Sequence, residues 1–171
     1  FMEVTGMMTR LDTARTVNTI QTYNFEDSMQ VMRDDKCLEL GISSLYTFTN
    51  SRHGYTVAGD ACADIMIHYD KNRTDLGIEL VGPHDDLDSL DLHEGCRYFG
   101  IRFLPGYSPL AVGESITDIR GSILELESGD VYDSLIEAIC GHETFETQCR
   151  EVLRCMGRFQ AADGEQLSNT Q

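Results

Sequence analysis

Apolar and polar residues alternate in short runs from about Tyr23 onward, and near residue 130 the alternation gives way to a helical repeat. Leu45-Tyr46-Thr47-Phe48-Thr49 is dense in strand formers. Ala63 to Tyr69 follows, with Ala63, Ile65, Ile67 and Tyr69 facing one way and Asp64, Met66 and His68 the other. Lys71-Asn72-Arg73-Thr74-Asp75 reads as a polar hairpin connection, and Ile78 to Val81 as the returning strand. A tight turn at His93-Glu94-Gly95 leads into Cys96 to Gly106, CRYFGIRFLPG, a strand that ends in a Pro-Gly turn. Alternation places Phe99, Ile101 and Phe103 on one face of it and Tyr98, Gly100 and Arg102 on the other. An arginine on a half-buried strand needs either solvent or a fixed anionic partner.

The period then changes. Pro109 suits the opening of a short helical turn. Ser128-Gly129-Asp130 supplies an N-cap for a helix with Val131, Leu135, Ile136 and Ile139 on one stripe, and Gly141 is expected at its C′ position. Phe145, Cys149, Val152, Leu153 and Met156 mark a second helix. Strands first and helices last predict an α+β domain: an antiparallel cupin-like β-barrel or sandwich followed by a C-terminal helical hairpin. Residues 1–22 read as a loosely ordered lead-in. Residues 23–157 form the domain, with strands to about 104 and helices at about 130–157. Residues 158–171 read as a polar tail or linker.

Composition narrows the class. The 171 residues suit one domain, and 29 acidic against 13 basic residues give a formal net charge of −16. That surface repels phosphate backbones, so this chain is not expected to bind nucleic acid itself. No apolar run is long enough to span a membrane, and the start lacks the pattern of a secretory signal. Six cysteines without a C-x-x-C pair read as reduced thiols in a cytoplasmic protein.

Three stretches resemble one family. Phe99-Gly100-Ile101-Arg102-Phe103 with Pro105-Gly106 is similar to the FGVRF-x-PG phrase in the N-terminal sensing domains of AraC-type transcription regulators. Gly59-Asp60-Ala61-Cys62-Ala63-Asp64-Ile65 looks like that family's PDGC-x-D-L strand opening, with Ala58-Gly59 where the family usually has Pro. Leu80-Val81-Gly82-Pro83 is similar to its VVGP. The resemblance runs from roughly Leu38 to Met156 and implies a domain that binds a small effector and dimerises. DNA binding would reside in two helix-turn-helix units, expected to lie outside this chain. It also implies a homodimer paired through the last two helices, on Val131, Leu135, Ile139, Phe145, Val152 and Met156. The alternative is that both stripes simply cover the domain's own sheet.

Candidate chemistry is sparse. None of the five histidines pair as H-x-H, no H-E-x-x-H is present, and Asp85-Asp86 beside His84 reads as a solvated loop, so no metal or cofactor is expected. No G-x-S-x-G elbow or phosphate loop appears, and nothing positive argues for an enzyme; the alternatives to a sensor are a pure dimerisation scaffold and, after it, a cupin-type metalloenzyme. An effector pocket would draw on Arg102, Tyr98, His68, Asp64 and Tyr69. Arg102 can clamp an anionic effector or pair with Asp64 or another internal carboxylate as a structural brace. The brace is preferred, because the arginine phrase accompanies the family fold and not one ligand.

Overall fold

The computed structural model describes residues 29–51, 55–57, 60–84, 88–107, 118–127 and 129–168. The expected lead-in over residues 1–22, the turn at Pro109, the Ser128 cap and the Asp85-Asp86 loop lie outside them. Eight strands and three helices are described: β1 (Gln30–Met32), α1 (Asp35–Glu39), β2 (Ile42–Thr49), β3 (Tyr55–Val57), β4 (Asp64–Tyr69), β5 (Leu76–Val81), β6 (Asp88–Leu90), β7 (Arg97–Phe103), β8 (Ile123–Glu125), α2 (Asp130–Cys140) and α3 (Phe145–Ser168). The fold is α+β. Six strands form one antiparallel sheet in the order β1-β2-β7-β4-β5-β8, and β3 pairs with β6 in a separate two-stranded sheet. The large sheet stays open, with β1 and β8 at its edges, which corrects the closed barrel and keeps the sandwich.

β7, the strand that carries Arg102, lies near the middle of that sheet between β2 and β4. Its alternation holds on both sides. Phe99, Ile101 and Phe103 join Leu45, Ile65, Ile67, Ile78 and Leu80 in the main apolar core, under Leu135, Ile139, Val152 and Met156 of the helices. Tyr98 joins Tyr46, Phe48, Met66 and Val81 in a second, smaller cluster on the opposite face. Both faces of the central strands are therefore buried, unlike the half-exposed sheet that period-two alternation usually marks.

The helices pack as a hairpin on the first face. Thr144 caps α3 by accepting from the Thr147 amide at 3.3 Å. Gln148, fully buried, donates from Nε2 to the Ile139 carbonyl at 2.9 Å, the His142 carbonyl at 3.1 Å and the Tyr69 hydroxyl at 3.3 Å, tying the end of α2 to β4. The α2 N-cap is Gly129, without a side-chain bond, and Gly141 is the C-cap itself in right-handed backbone (φ −77°), not a left-handed C′ residue.

Further features depart from the sequence reading, among them the β3–β6 pair. The short elements α1 and β1 were not marked by any period. β8 pairs with β5 beyond the expected last strand, as an exposed edge of three residues. The third helix continues through Ser168, where a tail had been expected from residue 158. Gln160 on that extension donates to the Leu40 carbonyl at 2.9 Å, a tertiary tie that a search for apolar spacing does not register.

Candidate functional site

On the second sheet face two polar constellations sit at opposite ends of β4 and β7. The first is built on the pair Asp64↔Arg102, directly opposite in the β4–β7 register. Arg102 Nη2 donates to Asp64 Oδ2 at 2.9 Å and to Asp60 Oδ2 at 3.0 Å. Its Nε donates to the two Asp64 oxygens at 3.2 and 3.3 Å. The Tyr46 hydroxyl adds a bond to Asp64 Oδ1 at 3.2 Å. Arg102 and Asp64 are 8% and 5% exposed, so this charge pair is removed from water and its bonds must replace hydration. Burial pushes the Asp64 carboxyl up from the ordinary carboxylate range, and the Arg102 guanidinium opposes the shift.

The local sequence makes room for this. Tyr46 lies across Gly100, where a Cβ would stand 2.0 Å from Cζ of the ring, so only glycine lets the hydroxyl reach Asp64. Asp60 also accepts from the Cys62 amide at 2.8 Å, which fixes the turn into β4.

The second constellation lies at the other end of the same strands. His68 on β4 is 6% exposed and sits opposite Gly77 on β5, where a Cβ would be 2.5 Å from the imidazole Cε1. Its Nε2 lies 3.3 Å from Asp75 Oδ1, and His93 Nδ1 lies 2.8 Å from Asp75 Oδ2. The two imidazole centroids are 4.4 Å apart, and the Tyr98 ring is 5.6 Å from His68. The hydrogen bond to His93 holds the Asp75 carboxyl below its usual range, and the same bond raises His93.

Each of these side chains is placed by an ordered segment. Asp70 accepts from Thr74 N and Thr74 Oγ1, both at 2.7 Å, which closes the hairpin that carries Asp75. Arg73 in that hairpin takes left-handed backbone (φ 57°) and donates to the Cys140 carbonyl at the end of α2. The His93 loop is held by Asn50, whose Nδ2 donates to the Leu92 and His93 carbonyls at 3.0 Å. The Tyr98 hydroxyl accepts from the His93 amide at 2.7 Å.

Among the residues singled out from sequence, Arg102, Asp64, Tyr98 and His68 share this face. Tyr69 does not: it points to the helix side, toward Gln148. Asp60, Tyr46, Asp75 and His93 were missed. Asp75 read as part of a polar connection and His93 as a turn residue, since no local spacing links them to His68. Of the residues assigned to pairing, Leu135, Ile139, Val152 and Met156 are buried in the chain's own core, and Val131 and Phe145 pack against it. That stripe packs on this domain's own sheet, with Val131 and Phe145 partly exposed at its border. The large apolar side chains exposed among the described residues are Val31 on β1 and Ile123 and Leu124 on β8, the two sheet edges.

Residues 35–125 match the family described as a domain of unknown function, DUF6597. The match spans more than half of the chain, which belongs to that family. No curated protein and no solved structure matches the chain. Among the described residues no helix is long and apolar enough to cross a membrane.

Proposed function

We propose that this chain is the effector-sensing and dimerisation module of a cytoplasmic AraC-type transcription regulator, which acts on DNA through helix-turn-helix units outside this chain. The observation that carries the reading is the division of labour in the sheet. One face is given to the helices, and the other buries Asp64, Arg102 and His68 and opens at Asp75 and His93. The three stretches that resemble the AraC-type sensing domain also support it. They fall on β4, β5 and β7 or at their ends, on neighbouring strands of one sheet.

Within this reading Arg102 is a structural brace, since Asp64 and Asp60 engage its guanidinium. Effector contacts then belong to the open end, near Tyr98, His68 and His93. An effector must bind one arrangement of the domain better than another to change DNA binding. Pairing of two copies uses a surface other than the buried helical stripe. The protein has no enzymatic role in this reading, and the acidic surface leaves DNA contact to another domain.

A thermal-shift screen of small metabolites, run beside sedimentation velocity, tests the proposal. A true effector at 100 times its Kd adds about 2.7 kcal/mol, a shift of several degrees in melting temperature. A chain that is monomeric at high concentration and answers to no compound overturns it. A stable dimer without any ligand response favours a pure dimerisation scaffold, the reading to which the internally engaged Arg102 would then point.

A further inference from the structure

His68, Asp75 and His93 bring one ligand atom each to within 4.8 Å of one another. We propose that they form a binding site for a borderline divalent transition-metal ion of the Zn2+ type, with one side left open to water or an exogenous ligand. The proposal goes beyond the sensing reading and does not rest on it.

The donor set is the first argument. Two imidazoles and a carboxylate suit zinc and its neighbours, whereas Mg2+ and Ca2+ prefer oxygen alone. Zinc bonds of about 2.0–2.2 Å in tetrahedral geometry put neighbouring ligand atoms roughly 3.3 Å apart. Asp75 Oδ1 lies 3.3 Å from His68 Nε2 and Oδ2 lies 2.8 Å from His93 Nδ1, so an ion enters if the three side chains close on it from their 4.8 Å spacing and the Asp75–His93 contact opens.

Burial supplies an independent argument. The His68 ring is enclosed at 6% exposure, which fixes its orientation. Its Nε2 faces the half-exposed Asp75 carboxylate at 3.3 Å, so a ring held rigidly by burial presents that nitrogen to the site. Gly77 keeps the space beside it clear, since any larger residue would displace the ring.

The third argument is preorganisation. The ligands come from β4, from the hairpin ordered by Asp70, and from the loop held by Asn50 and Tyr98. The Cys96 thiol donates to Asp75 Oδ2 at 3.5 Å and orients the carboxylate, as partners behind metal ligands commonly do. The side chains of His93 and Asp75 are 46% and 44% exposed, which leaves the ion an open position facing solvent.

Titration of the reduced, folded chain with ZnCl2 by calorimetry, repeated with CoCl2 and visible spectroscopy, tests this. The expected result is one ion per chain and a cobalt spectrum of nitrogen and oxygen ligation. His93→Ala and Asp75→Asn, both at partly exposed side chains, should weaken binding at least about ten-fold while retaining the native circular-dichroism melt. His142→Ala should bind like the parent. Absence of stoichiometric binding, equal affinity in His93→Ala, or an intense thiolate-to-cobalt band that moves the ion to cysteine would each overturn the assignment.

Discussion

The two faces of the central sheet are built from the same strands, one residue out of phase, and they are stabilised by different physics. On the helix side Phe99, Ile101, Ile65 and Ile67 share one apolar core with Leu135, Ile139 and Val152, with the hydrogen bonds of Gln148 at its border. On the opposite side the next residues along, Arg102, Asp64, Met66, His68 and Tyr98, mix apolar packing with hydrogen-bonded charge. The first face tolerates any well-fitting hydrophobe. The second works only if each polar group finds its partner, since a half-satisfied buried network is worse than none. Such a face specifies an arrangement and offers chemistry, and the apolar face supplies the stability that allows it.

The sharpest way to break this comparison is to remove one partner of the buried pair. Arg102→Met should destabilise by about 3–5 kcal/mol in urea denaturation, because it leaves the Asp64 carboxylate buried and uncompensated. Adding Asp64→Leu should recover much of the loss, since the penalty belongs to the orphaned charge. A single substitution that costs nothing would mean that the polar face does not hold the sheet together.

On the other face Leu135→Ala should cost about 2–5 kcal/mol by the same measurement, with no double substitution on the polar side able to offset it. Gly100→Ala probes the geometry between the two. Its new methyl would overlap the Tyr46 ring, costing about 1–3 kcal/mol and loosening the Tyr46–Asp64 bond. Nuclear magnetic resonance should then show altered Tyr46 ring signals while those of Phe99 stay put. The mildest probe reads reactivity. Burial pushes the thiol of Cys37 up to about 11 and those of Cys62 and Cys149 up to about 12. These three should react with a thiol reagent at pH 8 only after unfolding; rapid labelling of the native chain would show that their surroundings open.

Much of this was legible along the chain. The alternation in β4 and β7 told which side chains share a face, and the cost of a buried charge called for an anionic partner to Arg102, with Asp64 or another internal carboxylate as the candidates. The helical stripes were equally clear. Their destination was not, because an apolar stripe reads the same whether it covers its own sheet or a second copy. The extension of α3 through Ser168 also escaped, since its tie at Gln160 is polar and made to a carbonyl 120 positions away in sequence.

By itself the sequence determined the class, α+β, the central strands and which residues of β7 oppose one another, because those follow from local periods of two and 3.6 residues. Tertiary structure alone decided that the sheet stays open, that both its faces are buried, and that Tyr69 lies apart from the other polar candidates. It alone brought His68, Asp75 and His93 together. The reason is strand pairing: a hairpin turn, a strand and a distant loop converge only when β5 and β7 both dock on β4, and no spacing within one segment encodes that.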